Sequence, residues 1–154
     1  GDVTWEPVWG ITIARTALWQ QTEVQDYLGT NAAGQPQDYD GAEFIYSPEL
    51  QGSLSLLYLR PVGNGLNLEM TLNGRYQSKS NTIFEDIDLY KIPAYGVANV
   101  SIGLRGAEDR WSFTLWSRNV LDKYYWTAVA SNANVVVRFP SPPRTYGATI
   151  GLKF

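Results

Sequence analysis

LNLEMTLNGRYQSKS, residues Leu66–Ser80, alternates with a period of two. Leu66, Leu68, Met70, Leu72, Gly74 and Tyr76 fall in one phase; Asn67, Glu69, Thr71, Asn73, Arg75 and Gln77 fall in the other. Successive side chains of a β-strand point to opposite sides of the sheet, so this stretch is a strand with one apolar and one polar face. A half-buried strand of a water-soluble domain does not need so many polar positions in register, a Glu and an Arg among them. The pattern suits hydrocarbon on one side and a wet interior on the other. VANVSIGLR repeats it, with Ala98, Val100, Ile102 and Leu104 opposite Asn99, Ser101, Gly103 and Arg105. So does the final RTYGATIGLKF, where Tyr146, Ala148, Ile150, Leu152 and Phe154 alternate with small or polar residues.

The same alternation predicts seven strands: Gly1–Glu6, Ile11–Tyr27, Gln51–Arg60, Leu66–Lys79, Ala94–Arg105, Trp111–Thr127 and Thr145–Phe154. Two of them break the pattern. Arg15 interrupts the apolar phase of Ile11, Ile13, Ala17 and Trp19, and Leu57 and Leu59 lie opposite Leu54, Leu56 and Tyr58. A bulge, or a patch where the wall meets another part of the protein, would account for either. The connections alternate in length: PVWG short, Leu28–Leu50 long, PVGNG short, Ser80–Pro93 long, GAEDR short, Ala128–Arg144 long. Short turns on one rim and long loops on the other are how outer-membrane barrels are built, the short ones periplasmic. Trp5, Trp9, Trp111 and Phe154 fall near the short-turn rim, and Tyr76, Tyr95, Tyr124, Tyr125 and Trp126 toward the long-loop rim, as two interfacial belts would. The expected fold is all-β: an antiparallel transmembrane β-barrel.

Composition narrows the chemistry. The chain has 154 residues, a net charge of −3 and twelve basic residues that do not cluster, which argues against a nucleic-acid partner. It has no Cys and no His, which removes thiolate nucleophiles, Ser-His and Cys-His pairs and nearly every zinc site. No enzyme, cofactor or metal site is expected. No apolar run is long enough for a transmembrane helix. The slightly negative mean hydropathy, −0.23, is what alternating strands average to.

WSFTLWSRNVLDKYY, followed by PRTYGATIGLKF, resembles the end of TonB-dependent outer-membrane receptors. Their Asn-hydrophobic-hydrophobic-Asp segment is matched by Asn119, Val120, Leu121, Asp122, Lys123 and Tyr125. Their Pro-Arg-Thr-Tyr-Gly motif is matched by Pro143, Arg144, Thr145, Tyr146 and Gly147, and their closing aromatic by Phe154. The resemblance implies a bacterial outer-membrane location and a barrel of about 22 strands, of which this chain is the carboxyl-terminal part. It also implies a plug domain, absent from this sequence, through which the TonB energy-coupling complex acts. Tyr146, Ile150, Leu152 and Phe154 would form the signal read by the barrel-assembly machinery. The odd strand count agrees with a fragment, since complete single-chain bacterial barrels have an even number.

By the same resemblance, the whole protein would bind a scarce small-molecule ligand, an iron chelate, cobalamin or an oligosaccharide, and import it. Ligand contacts would come from the long loops and upper lumen, with Tyr39, Tyr90, Trp126 and Arg138 on loops and Arg75 and Gln77 lining the lumen. The acidic clusters Glu85, Asp86, Asp88 and Asp38, Asp40, Glu43 lack the spacing of a calcium loop and read as solvated loop residues. Two other readings compete. A soluble all-β carbohydrate-binding module would use the aromatics as stacking platforms, and a small complete barrel would need an eighth strand that the sequence does not offer.

Overall fold

The computed structural model describes residues 1–153 apart from 8, 32, 107, 109, 133 and 134. Its strands are β1 Asp2–Trp5, β2 Ile11–Trp19, β3 Leu28–Thr30, β4 Pro36–Asp38, β5 Leu50–Gly63, β6 Leu66–Gln77, β7 Ser80–Asn81, β8 Lys91–Ile92, β9 Tyr95–Arg105, β10 Trp111–Arg118, β11 Trp126–Asn132, β12 Val135–Pro140 and β13 Thr145–Leu152. Seven form one sheet in the order β1-β2-β5-β6-β9-β10-β13, each antiparallel to its neighbours. These are the seven strands the alternation predicts. The outer edges of β1 and β13 pair with no other strand among the described residues, so the sheet is an open wall. Phe154, the proposed closing aromatic, lies outside the described residues.

Two strands are shorter than the alternation suggests, and the reasons are local. The expected Ile11–Tyr27 strand ends at Trp19, beyond which Val24 pairs its backbone with Gly41 and Ala42. The expected Trp111–Thr127 strand ends at Arg118, because Asn119 takes a left-handed φ of 50°. The three long connections are not plain loops. Each carries its own hairpin: β3–β4, β7–β8 with a single 3₁₀ turn at Asp88–Tyr90, and β11–β12. The short connection between β5 and β6 turns on Asn64 and Gly65, at φ 52° and 73°. Positive φ at both central residues is the type I′ hairpin geometry that Asn-Gly favours.

The register fixes the two faces. One row of directly opposed residues runs Trp5, Ile13, Leu56, Leu72, Val100, Ser117, Tyr146 across all seven strands. The next row in the opposite phase contains Leu57, Thr71, Ser101 and Trp116. The first row also shows the tilt of the strands. It starts at Trp5, on the short-turn rim, and ends at Tyr146, where β13 meets the long-loop rim. The belts follow that slant: Trp5, Tyr58 and Trp111 step down the rows from β1 to β10, while Trp19, Tyr76 and Tyr146 step down from β2 to β13. Tilts of roughly 35–45° are what barrel closure requires.

Burial is inverted relative to a soluble domain. Large apolar residues of the sheet stand exposed, including Leu54, Met70, Ile102, Leu115 and Ile150. Among the described residues the buried apolar ones are Val24, Tyr39, Ile92, Tyr95 and Val129, at the outer ends of strands and in the long connections. An apolar sheet face this large marks a surface that meets lipid or another polypeptide. The polar face instead satisfies itself: Thr71 and Ser101 share a 2.7 Å hydrogen bond, Ser55 donates to Asn73 at 2.9 Å, and Arg105 pairs with Glu69 at 2.6 Å.

Candidate functional site

The outer end of the polar face gathers Arg75, Gln77, Tyr95 and Tyr125. Register sets the group, since Gln77 opposes Tyr95 and Arg75 opposes Val97. The Tyr95 hydroxyl accepts from Arg75 Nη2 at 3.1 Å and donates to Gln77 Oε1 at 2.9 Å. Its ring stacks on Tyr125 at 3.8 Å, with the Arg75 guanidinium 5.8 Å from the ring centre. Tyr95 and Tyr125 therefore lie on the polar side of the sheet, not in an outward-facing belt as expected. Parity already says so for Tyr95, which shares the odd phase of Asn99, Ser101 and Arg105. Below them a cavity of about 500 Å³ is lined by Asn73, Arg75, Asn99, Arg118, Asn119 and Tyr125. It holds two guanidinium groups and no carboxylate, which suits an anionic or strongly hydrogen-bonding guest.

Of the loop candidates, Trp126 and Arg138 meet each other. Arg138 lies 5.4 Å from the Trp126 ring and donates from Nη2 to the Leu89 carbonyl at 2.9 Å, tying β12 to the Asp88–Tyr90 turn. A second tie runs from the Tyr46 hydroxyl to the Val129 carbonyl at 2.8 Å. Tyr39 and Tyr90 line a separate cavity of about 380 Å³ with Tyr27, Phe84 and Glu85. Tyr39 is buried between Tyr27 and Phe84, and that burial, with Glu85 beside it, raises its pKa. The acidic pair Asp86 and Asp88 clasps Lys91 at 2.6 and 2.8 Å, which lowers the pKa of Asp86 and raises that of Lys91. The six candidates thus fall into three groups: Arg75 with Gln77, Trp126 with Arg138, and Tyr39 with Tyr90. Tyr95 and Tyr125, expected only as belt residues, and Arg118 join the first group.

No family model and no curated protein matches the sequence. Solved structures do match the fold. The ferric yersiniabactin uptake receptor FyuA from Yersinia pestis superposes with a TM-score of 0.78 at 16% identity, over 98% of this chain and 22% of its own. The ferric-catecholate import receptor Fiu from K12 E. coli gives 0.72 at 16% identity, over 99% of this chain and 20% of its own. BauA, the ferric preacinetobactin receptor from Acinetobacter baumannii, gives 0.67 at 19% identity, over 96% and 20%. The seven-stranded antiparallel sheet thus shares the fold of part of these receptors' β-barrels. This chain spans only that 20–22% of each solved receptor.

The two segments that carry the sequence resemblance to TonB-dependent receptors form one structural clip in this wall. Asn119 Oδ1 accepts from the Lys123 amide at 2.9 Å, while Nδ2 donates to the carbonyls of Lys123 at 3.0 Å and Pro142 at 3.2 Å. The Asn119 amide donates to Asn99 Oδ1 at 2.9 Å. Asp122 then accepts from the Arg144 amide at 2.9 Å, with the Arg144 guanidinium 3.9 Å from its other oxygen. The motif residues therefore fasten the β11–β12 hairpin to the wall. Tyr146, Ile150 and Leu152 stand 81%, 71% and 66% exposed on β13, along the apolar phase.

Gly147 has an equally local cause. A Cβ there would come 2.5 Å from the Trp116 ring, which lies on the polar face, donates to Thr149 Oγ1 at 3.2 Å and carries Arg118 at 5.3 Å. Gly147→Val should displace the indole and lower the stability of the folded protein by about 1–3 kcal/mol, the usual cost of overpacking. Thermal melting followed by gel mobility checks it, and a variant that melts with the parent removes the packing role.

Proposed function

We propose that this chain is the carboxyl-terminal part of the barrel wall of a bacterial outer-membrane receptor that binds a scarce ligand at its outer face and imports it. The observation that carries this reading is the separation of the sheet into a bare apolar face and a hydrogen-bonded polar face with a cationic, aromatic outer end. The remaining strands and the plug belong to parts of the receptor outside this sequence. Leu57 and Leu59, which stand on the polar face near the short-turn rim, line a cavity of about 550 Å³ with Trp9, Glu69 and Arg105. That mixed patch is where a plug would seat, and it gives the two misplaced leucines a purpose. Coupling to the TonB complex would pass through that plug.

A ferric chelate is the favoured cargo among iron chelates, cobalamin and oligosaccharides, because the three structural neighbours are named as ferric-complex receptors. Such complexes are commonly anionic and rich in acceptor oxygens, a match to Arg75, Arg118 and Arg138. The test is equilibrium binding of a panel of ferric hydroxamate, catecholate and phenolate chelates to the intact receptor, read by tryptophan quenching. Arg75→Ala and Arg138→Ala should each weaken the best binder by 5-fold or more, in line with about 1 kcal/mol or more per charged hydrogen bond. Trp126→Ala should weaken it less, and unchanged affinity in all three variants would remove these residues from the site. The soluble carbohydrate-binding module is disfavoured because the three structural neighbours are uptake receptors and nothing among the described residues covers the apolar phase of the sheet.

A further inference from the structure

The sequence holds two Asn-Gly pairs, and the fold sets them in opposite surroundings. Asn73 and Gly74 lie inside β6, where Gly74 is opposed by Leu54 on β5 and Ala98 on β9, so its amide is committed to the ladder. Ser55 also donates to the Asn73 side-chain oxygen at 2.9 Å. Asn64 and Gly65 form the exposed tip of the β5–β6 hairpin, with Gly63 before them. Gly63, Asn64 and Gly65 take φ of 96°, 52° and 73°, a run that the two glycines permit because they carry no Cβ. No hydrogen bond among the described residues engages the Asn64 side chain, and the Gly65 amide makes none to the backbone there. A third pair open to the same ring closure, Asp40 and Gly41, has its glycine amide donated to the Val24 carbonyl at 2.9 Å.

An asparagine followed by glycine is chemically labile, because no side chain on the next residue shields the backbone nitrogen from the amide carbon. We infer that Asn64 is a site of self-deamidation, with water as its only co-reactant. The Gly65 nitrogen, having lost its proton, attacks Asn64 Cγ. That C–N bond forms, the Cγ–Nδ2 bond breaks, and the side-chain nitrogen leaves as ammonia, carrying the proton with it. Water then opens the cyclic imide. Cleavage at Cγ leaves aspartate, and cleavage at the Asn64 main-chain carbonyl leaves isoaspartate. Nothing is oxidised or reduced. Either product adds a negative charge to the turn. Isoaspartate also threads an extra carbon into a tight loop whose length sets the β5–β6 register. The reaction depends on the hairpin alone and is indifferent to what covers the apolar face of the sheet.

The test ages the intact protein at mildly alkaline pH and follows both asparagines by peptide mapping with electron-transfer fragmentation, which locates the converted residue and tells aspartate from isoaspartate. In the folded protein Asn64 should convert about 10-fold or more faster than Asn73, whose ladder must open before the nitrogen is free. In denaturant the two should convert within about 2-fold of each other, since each then precedes a glycine in an open chain. The folded rate at Asn64 should rise with pH, because the attacking nitrogen must lose its proton. Asn64→Gln should leave only the slow conversion at Asn73. Equal rates for the two asparagines in the folded protein overturn the proposal. So does a folded rate at Asn64 that lies about 10-fold or more below its rate in denaturant, which would mean that the left-handed turn holds the nitrogen out of reach.

Discussion

Asn119→Ala should cost the folded protein about 3–5 kcal/mol, the largest stability loss expected from a single truncation in this sheet. The side chain is buried and makes three hydrogen bonds to backbone groups of Lys123 and Pro142. Each is worth about 0.5–1.5 kcal/mol net, and its loss orphans the backbone partner. The position also sits at φ 50°, which Asn tolerates and Ala does not, adding about 1–2 kcal/mol. Asn119→Gly separates the two contributions, because it keeps the dihedral and deletes the amide. Gly should therefore recover the dihedral part alone. The measurement is the temperature or denaturant concentration at which the compact gel band is lost. An Ala variant within 1 kcal/mol of the parent would mean that the clip is not fastening the hairpin.

The second large effect compares two adjacent residues. Leu72→Arg puts a charge on the apolar row between the belts and should cost about 2–4 kcal/mol and reduce insertion into bilayers. Thr71→Arg, one residue away, faces the polar side and loses only the 2.7 Å bond to Ser101, an expected cost of about 1 kcal/mol. In a water-soluble sandwich the same comparison would show Leu72→Arg abolishing folding in buffer altogether. Refolding yield into vesicles, scored by the compact gel band, distinguishes the cases. Equal yields for the two variants would contradict the assignment of faces.

The wall was legible in sequence because its signal is periodic. The phase of Leu66–Gln77 and of Tyr95–Arg105 survives intact in the register, and the Asn64-Gly65 turn announces its hairpin. The ends of β2 and β10 were not legible. Alternation continues by chance through Val24 and through Tyr125, while the backbone is redirected by pairing with Gly41 and Ala42 and by the left-handed Asn119. The candidate site was half readable. Arg75 and Gln77 follow from phase, and the same count places Tyr95 beside them. The grouping of Trp126 with Arg138, and of Tyr39 with Tyr90, depends on how three hairpins pack, for which no local pattern exists. Nothing in composition separates a tyrosine of the outer belt, such as Tyr76, from one stacked on the polar side, such as Tyr125. Only the phase of the strand, or its interruption, does that.

The most direct measurement is a nitroxide scan of the intact protein along β6, from Leu66 to Gln77, with oxygen and a water-soluble relaxant compared at every position. A lipid-facing wall predicts oxygen exposure rising at Leu68, Met70 and Leu72 and relaxant exposure rising at Glu69, Thr71 and Asn73, out of phase. Low exposure to both reagents at the three apolar sites would mean that another layer of polypeptide covers them, and the membrane assignment would fail.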